Sequence, residues 1–334
     1  MAEHNHQPSV TIVIKALNEA ARIAASVESA LTAVEGYSGA VILADSGSTD
    51  ETVAIASRYP ITIVQLENWS EKRCGIGPQL GYQFSEGDFV YVLDGDMELD
   101  PSFLGKALEA FSANEKLAGV AGLVDEHSEG SLQFRGRKSR NLEGTAGPAN
   151  WLDMGGLYRR AAIEQIGYLS NRNLFACEEQ ELGLRLSEAG WQLERLAVKS
   201  IDHYGHTEPT LTLLRKRWKS GYLYGAGQVL RASLGKPWFP RVARVHKHLL
   251  ATAILWMLLV LGLITAPISS GLLKVWAACL VLLSVQRTIR HRSVKDAALS
   301  MIVWHVNALA MIKGFFLAQT DPCSAIAARE LHRP

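Results

Sequence analysis

The sequence predicts an α/β protein: a Rossmann-like domain on a mixed, mostly parallel sheet, followed by a surface helix and then by long apolar helices. Three observations carry this reading. Four short apolar runs rich in Val and Ile (Val10–Ala16, Ala40–Ala44, Ile61–Leu66 and Phe89–Leu93) have helical periodicity between the first three. Strands that alternate with helices build a parallel sheet covered by helices. Charged and apolar residues are evenly mixed up to about His206, where the composition changes sharply, and from Leu249 onward three apolar stretches follow one another.

Taken in order, the first helix follows Val10–Ala16 and repeats Ile23, Val27 and Leu31 every four residues, with Asn18 placed to cap it. After the second strand, Ser48 and Glu51 fit a capping box that opens a helix running to Tyr59. Both helices are thus expected at strand C-terminal ends. That edge of an open α/β sheet is where ligands bind, and helix N-termini there favour anions.

Leu211–Ala232 interleaves Leu213, Leu214, Trp218, Tyr222 and Tyr224 with Arg215, Lys216, Arg217 and Lys219. It reads as a helix resting at a membrane surface, the alternative being the solvated basic face of a globular helix. The apolar stretches are Leu249–Thr265, Leu272–Val285 and Ala297–Ala318. Crossing a bilayer takes about 20 residues. The first stretch meets this with its flanks; the second does so if it begins near Ile268 and buries or snorkels Lys274. The third carries His305, Asn307 and Lys313, so it spans, lies at the interface or re-enters. Core helices of a soluble domain are the bland alternative, disfavoured because acidic faces are missing.

Arg287, Arg290, Arg292 and Lys295 crowd the loop after the second stretch, and Lys236, Arg241, Arg244 and Lys247 precede the first. The turn with Pro267, Ser269, Ser270 and Gly271 has no cation. Basic flanks face the cytoplasm, which places the N-terminal domain there too. The expected divisions are a catalytic domain over 1–209, an amphipathic helix and basic linker over 210–247, a membrane region over 248–320 with two or three helical segments, and a tail over 321–334.

Composition narrows the function classes. The 334 residues hold 34 Lys and Arg against 33 Asp and Glu, a net charge of +1. No global field attracts nucleic acid, and none is expected as a partner. Cys74, Cys177, Cys279 and Cys323 lie far apart without the C-x-x-C spacing of a zinc or redox site, which suits idle thiols in a reducing compartment. Met1 to Pro8 lacks the basic and apolar regions of a signal peptide, and its His4 and His6 read as part of a frayed tail.

The chemistry concentrates at strand ends. Asp94-Gly95-Asp96 closes the fourth strand, where two carboxylates spaced by one small residue can hold a hard divalent cation that bridges phosphates. Such triplets also occur in ordinary turns. Position favours a site here, with Glu98 two residues further on as another oxygen ligand. Asp45 opens Asp45-Ser46-Gly47-Ser48-Thr49-Asp50, either a capped turn or an acceptor for a nucleobase or ribose.

Lys72 and Arg73 precede a Gly-rich bend and can meet a diphosphate, with a plain surface pair as the alternative. Glu178 and Glu179 fall at a helix start, where acids complement the dipole, and either can serve as a general base if it faces Asp94 and Asp96. Glu181 and Arg185, four apart, can pair. His203 and His206 can chelate a metal or simply hydrogen-bond.

Five segments in order, VTIVIKALNEAA from Val10, VILADSGSTDET from Val41, FVYVLDGDME from Phe89, GGLYRRAAIEQIG from Gly155 and CEEQELGLRLSEAGW from Cys177, resemble family 2 glycosyltransferases of the GT-A fold. The resemblance covers about two hundred residues of the soluble region. It implies an inverting transfer from a nucleotide-diphosphate sugar, most often a UDP-sugar, with Mg²⁺ or Mn²⁺. Asp45 matches the acid that contacts the base, Asp94 the first acid of the Asp-x-Asp motif and Asp96 its metal-binding second acid.

Glu179 stands where the family has its catalytic Asp, one methylene longer. Donor contacts are expected from Ala16, Asn18, Glu19, Lys72, Arg73, Gly155, Gly156, Arg217 and Trp218, and metal ligands from Asp94, Asp96, Glu98 and His203. Lys15 departs from a common Pro, either adding a charge near the nucleotide or pointing away. Arg217-Trp218 resembles the end of a Gln-x-x-Arg-Trp motif, but Leu214 stands at the Gln position, which argues against a processive synthase.

The layout is similar to bacterial enzymes that extend lipid-linked exopolysaccharide or surface-glycan units, such as the succinoglycan type. It implies a multi-pass protein of the bacterial inner membrane with its catalytic domain cytoplasmic and a lipid-linked glycan as acceptor. Two alternatives stand beside it. One is a polyprenyl-phosphate glycosyltransferase, for which Arg135, Arg137, Lys138 and Arg140 would supply cationic contacts. The other is a non-catalytic nucleotide-sugar-binding membrane subunit.

Overall fold

The computed structural model describes residues 8–127, 146–153, 155–205 and 208–334. His4, His6, Arg135, Arg137, Lys138, Arg140 and His206 lie outside the described residues. The strands are β1 (Ser9–Ala16), β2 (Ser38–Asp45), β3 (Thr62–Leu66), β4 (Phe89–Asp94), β5 (Met97–Leu99), β6 (Leu117–Glu126), β7 (Gly147–Ala149), β8 (Gly156–Arg159), β9 (Gln192–His203) and β10 (Ala328–His332). The helices are α1 (Ile23–Val34), α2 (Thr52–Ala56), α3 (Ile76–Phe84), α4 (Phe103–Ala113), α5 (Arg160–Ile166), α6 (Glu178–Glu188), α7 (Thr210–Ser220), α8 (Gly225–Ala232), α9 (Phe239–Val245), α10 (Lys247–Thr265), α11 (Gly271–His291) and α12 (Val294–Phe315).

The chain divides into two compact units, one of Met1–Leu213 with Gln319–Pro334 and one of Leu214–Ala318. The first is a mixed sheet in the order β10-β3-β2-β1-β4-β8-β6-β9-β5, with β7 on β9. β1 pairs in parallel with β2 and β4, and β2 with β3, as the apolar runs predict. β8, which bridges β4 and β6, is antiparallel to both. Alternation along β1 sends Ile12 and Ile14 to one face, against Leu43, Leu93 and Phe103, and Val13 to the other, against Ile42, Val64, Ile76 and Leu80. With both faces covered, these strands are apolar throughout, and each fully buried Ile or Leu contributes about 1.5–3 kcal/mol.

Both expected caps are corrected. Asn18 does not cap α1, which begins at Ile23 without a side-chain cap. It sits at φ 60° and its Oδ1 accepts from the Thr49 amide at 2.8 Å, tying the loop after β1 to the loop after β2. No capping box opens α2 either: Ser48 Oγ bonds Asp45, and Glu51 makes no side-chain cap. Asn18 is taken by a tertiary partner, and Ser48 by an acid three residues back in its own turn.

The residues read as a tail return to the sheet. β10 pairs antiparallel with β3, Ala328 opposite Leu66 and Glu330 opposite Val64. Side chains of the first unit hold the approach to it. The Gln83 amide exchanges two bonds with the Ile326 backbone at 3.0 and 2.9 Å, and buried Arg172 donates to the Ser324 and Ala325 carbonyls at 3.0 and 2.9 Å. Asn173 exchanges two bonds of 2.7 Å with the Thr320 backbone.

In the second unit the single helix expected over Leu211–Ala232 is broken. Gly221 takes φ 81°, and α7 gives way to a turn over Tyr222–Tyr224 and then α8. α10, α11 and α12 are each long and apolar enough to cross a membrane. Core helices would bury such surface, yet only 22%, 6% and 28% of their apolar windows is buried, with Ile264, Leu282 and Ile289 about 70% exposed. The soluble-core alternative fails on this point.

Candidate active site

An open cleft lies in the first unit, with Asp94, Gly155, Gly156, Glu178 and Glu179 on its wall. They arrive from three places: the end of β4, the start of β8 and the first turn of α6. Asp94 ends β4, where the chain turns through Gly95; a Cβ at Gly95 would stand 2.9 Å from Glu19 Cγ, so a small residue suits the middle of the triplet. Gly155 takes φ 86°, and a Cβ there would stand 3.0 Å from the Tyr91 hydroxyl. Glu178 and Glu179 open α6 behind Cys177, a left-handed residue at φ 69°.

Lys15, near the end of β1, does not point away. Its Nζ lies 3.1 Å from Asp94, 3.0 Å from Glu178 and 3.7 Å from Glu179, gathering three carboxylates around one ammonium. Burial opposes the charge on Lys15, but Asp94, Glu178 and Glu179 outweigh it and hold the ammonium well above its ordinary value. Burial pushes the Asp94 carboxyl up, against the pull of Lys15. Burial and the neighbouring Glu178 charge raise Glu179 to about 8, with Lys15 opposing. A third of the Glu179 side chain remains exposed, whereas Glu178 is nearly covered.

A second cluster forms around Asp96. His203, near the end of β9, places Nε2 at 3.6 Å from Asp96, and its Nδ1 is 2.8 Å from the Glu126 carboxylate. His203 and Glu126 are both buried. Burial alone would lower the imidazole, but Asp96 and Glu126 hold it at about 9. Glu126 escaped the sequence reading because it lies 77 positions from His203 and joins it only through the β6–β9 register.

Glu98, expected as a metal ligand, is corrected. In the β5–β9 register Met97 faces His203 and Glu98 faces Asp202, so alternation turns Glu98 to the opposite side of the sheet from His203. On that side Asp125, His127 and Asp202 bring ligand atoms within 4.8 Å of one another. Asp202 is already held there by Lys199 at 2.7 Å and His127 at 2.9 Å.

The other expected residues are placed as follows. Asp45 is fully buried and closes its own turn, accepting from the Gly47 amide at 2.9 Å, the Ser48 amide and Gln65 Nε2 at 2.8 Å. A base at Asp45 would have to replace one of these bonds. The Ala16 carbonyl accepts from Ser46 at 2.9 Å, and the Glu19 amide donates to Thr52 at 2.8 Å, so Ala16, Asn18 and Glu19 form the wall between the β1 and β2 loops.

Lys72 donates to the Gly47 carbonyl at 2.7 Å, and Arg73 to the Glu71 carbonyl at 3.1 Å while stacking over Phe175. Arg217 and Trp218 belong to the second unit, where they meet the rings of Tyr222 and Tyr224. Glu181 pairs with Arg185 at 2.8 Å as expected and also accepts from the Tyr168 hydroxyl, a structural role.

Comparison with known proteins bears on the family and the fold. Residues 11–167 match the family described as Glycosyl transferase family 2. Among curated proteins, the N-acetylglucosaminyl-diphospho-decaprenol L-rhamnosyltransferase of Mycobacterium tuberculosis is 27% identical over 191 residues, which covers 45% of this chain. The match spans 62% of that relative's length. Among solved structures, the mannosyltransferase PcManGT from Pyrobaculum calidifontis, in complex with GDP-Man and Mn²⁺, is similar in fold with a TM-score of 0.60 at 16% identity. The match covers 93% of this chain and 88% of that one.

Proposed function

Because this chain belongs to glycosyl transferase family 2, a GT-A glycosyltransferase over its matched residues 11–167, we propose that it transfers a sugar with inversion from a nucleotide-diphosphate sugar, of the UDP class, to a lipid-linked glycan. The work is done at the cytoplasmic face of a bacterial inner membrane, in surface-glycan or exopolysaccharide synthesis. The observation that carries this is Glu179: a carboxyl raised to about 8 at the mouth of a helix, on the wall of the cleft that also holds Asp94. A general base works best with its affinity for protons near the operating pH.

Glu179 takes the proton of the acceptor hydroxyl as that oxygen attacks the anomeric carbon, opposite the departing diphosphate. Lys15 pairs with Glu178 at 3.0 Å and fixes the carboxylates around the cleft. The loops at Ala16, Asn18, Glu19 and Asp45, with Lys72, Arg73, Gly155 and Gly156, form the donor side. Arg217 and Trp218 serve the lipid-facing side.

Asp96 and His203 fit a divalent ion, because two donors 3.6 Å apart can share an ion whose metal–oxygen bonds are about 2.1 Å. Asp94 completes the expected set once it is released from Lys15. An imidazole among carboxylates suits Mn²⁺ better than Mg²⁺. When bound, the ion stabilises the charge of the leaving diphosphate. A buried carboxylate that accepts the other ring N–H of a metal-binding His fixes its tautomer, which is the part Glu126 plays here.

The relative from M. tuberculosis is named for a decaprenol-linked acceptor, which supports a lipid carrier for this chain. The test is calorimetric titration of the full chain with UDP-, GDP- and dTDP-sugars, each with and without Mn²⁺. Tight binding of a UDP-sugar that weakens on chelation supports the donor assignment. Preference for another nucleotide replaces the UDP reading, and binding of none removes the donor site.

A further inference from the structure

We infer that, of the three apolar helices, α10 and α11 cross the bilayer as a hairpin while α12 does not cross and lies along the side that carries the catalytic unit. This rests on the membrane placement proposed above. The first reason is parity. β10 follows α12 in the chain and pairs with β3 inside the same sheet as β1, β2 and β4. The residues before α10 and those after α12 therefore share one side of the membrane, and the segment between them crosses an even number of times. Three crossings would put β10 on the far side from its partner strand.

The second reason identifies the helix that stays behind. Cations flank the start of α10 and the α11–α12 junction, while the turn between α10 and α11 carries none, so α10 and α11 form the crossing pair. α12 then starts on the catalytic side at its basic junction. It also ends there, because its last turns pack against α8 and the Tyr222–Tyr224 turn, short elements that precede the crossing pair.

Backbone meets backbone in that packing: a Cβ on Gly314 would lie 2.1 Å from the Tyr224 carbonyl, and one on Gly227 1.8 Å from the Met311 carbonyl. Lys313 Nζ reaches the Tyr224 hydroxyl at 2.9 Å. The middle of α12 touches α11 near its basic end, and α10 from its basic end at His248 to its midpoint at Trp256. Trp304 meets His248 and Arg287, His305 accepts from Trp256 at 2.8 Å, and Arg287 bonds Ser300. A 22-residue helix is about 33 Å long. With both ends on one side it does not cross, and it is the helix of the three that carries His305, Asn307 and Lys313.

The test is peptide-resolved labelling of the full chain by a membrane-impermeant maleimide in intact bacterial cells and in lysed membranes. Two reporters suffice: native Cys323, exposed on the segment after α12, and Ser270→Cys, exposed in the turn between α10 and α11. The expected result is labelling of the residue-270 thiol in intact cells and of Cys323 only after lysis. Labelling of Cys323 in intact cells would overturn the inference, because α12 would then cross. Protection of the residue-270 thiol until lysis would overturn the hairpin. If alkaline carbonate strips the protein from membranes, the crossing pair falls together with the membrane placement itself, whereas a contrary labelling pattern in carbonate-resistant membranes sinks the topology alone.

Discussion

Replacing Lys15 with methionine should destabilise the catalytic unit more than any surface change, and the loss should grow with pH. The Lys15 side chain is 15% exposed and holds Asp94, Glu178 and Glu179 within 3.0–3.7 Å. Removing one partner of a buried ion pair costs about 3–5 kcal/mol, because the remaining charges are left uncompensated. Asp94 and Glu179 are each one-third exposed, which favours the low end, about 3 kcal/mol.

The sign with pH follows from linkage. Without the ammonium, the folded protein must hold these carboxyls protonated well above their unfolded range, so its stability falls as pH rises through their raised folded values. For the native protein the raised Lys15 carries the same sign at higher pH: its contribution is complete at neutral pH and is lost only as pH climbs through the folded value of the ammonium. Urea unfolding of the detergent-solubilised full chain, followed at Trp fluorescence at pH 6 and pH 8, reads the effect. For a slope of about 2–3 kcal/mol per molar, the midpoint should drop by roughly 1 M at pH 8, and by less at pH 6. An unchanged midpoint at both pH values would refute the placement of Lys15 among the three acids.

Three further outcomes follow from the site. Transfer by the native chain should rise with pH toward about 8 as Glu179 loses its proton. Glu179→Gln should keep donor binding but lose transfer by about 10²–10⁴, and loss with Glu178→Gln instead would move the base by one residue. Glu126→Gln should weaken Mn²⁺ binding by about 10–100-fold, measured by electron paramagnetic resonance titration, and should add nothing in a His203→Ala background; additive losses would contradict a shared role. A chain cut after Pro209 lacks β10 and leaves β3 as a bare edge, so it should melt lower and aggregate more than the full chain in the same detergent. Equal melting and dispersity would show that β10 is dispensable.

The strands β1 to β4 were legible because they are buried on both faces and read as apolar runs. Asp94, Asp96, Glu178 and Glu179 were legible too, since strand ends and a helix start are marked locally. What the sequence hid was set by partners far along the chain. β10 is short and polar, ARELH, and becomes a strand only because β3 offers an edge and Gln83, Arg172 and Asn173 hold its approach.

Asn18 and Ser48 have the chemistry of caps, but Asn18 bonds the neighbouring loop and Ser48 the acid that opens its own turn. Glu98 lies on the other face of the sheet from His203 because Asp96 precedes β5 and the strand alternation begins only at Met97. Lys15 was visible as a departure from the family, but its direction depended on acids 79 to 164 positions away.

The central claim is transfer of one sugar from a nucleotide donor to a lipid-linked glycan by the Glu179 cleft. Its most direct test is mass spectrometry of lipid-linked glycans after incubating the full chain in nanodiscs with bacterial lipid extract, Mn²⁺ and a panel of nucleotide sugars. The account predicts that one glycolipid species gains the mass of a single sugar with the native chain and that Glu179→Gln yields none. A product that remains entirely water-soluble, or an undiminished glycolipid product from Glu179→Gln, would contradict it.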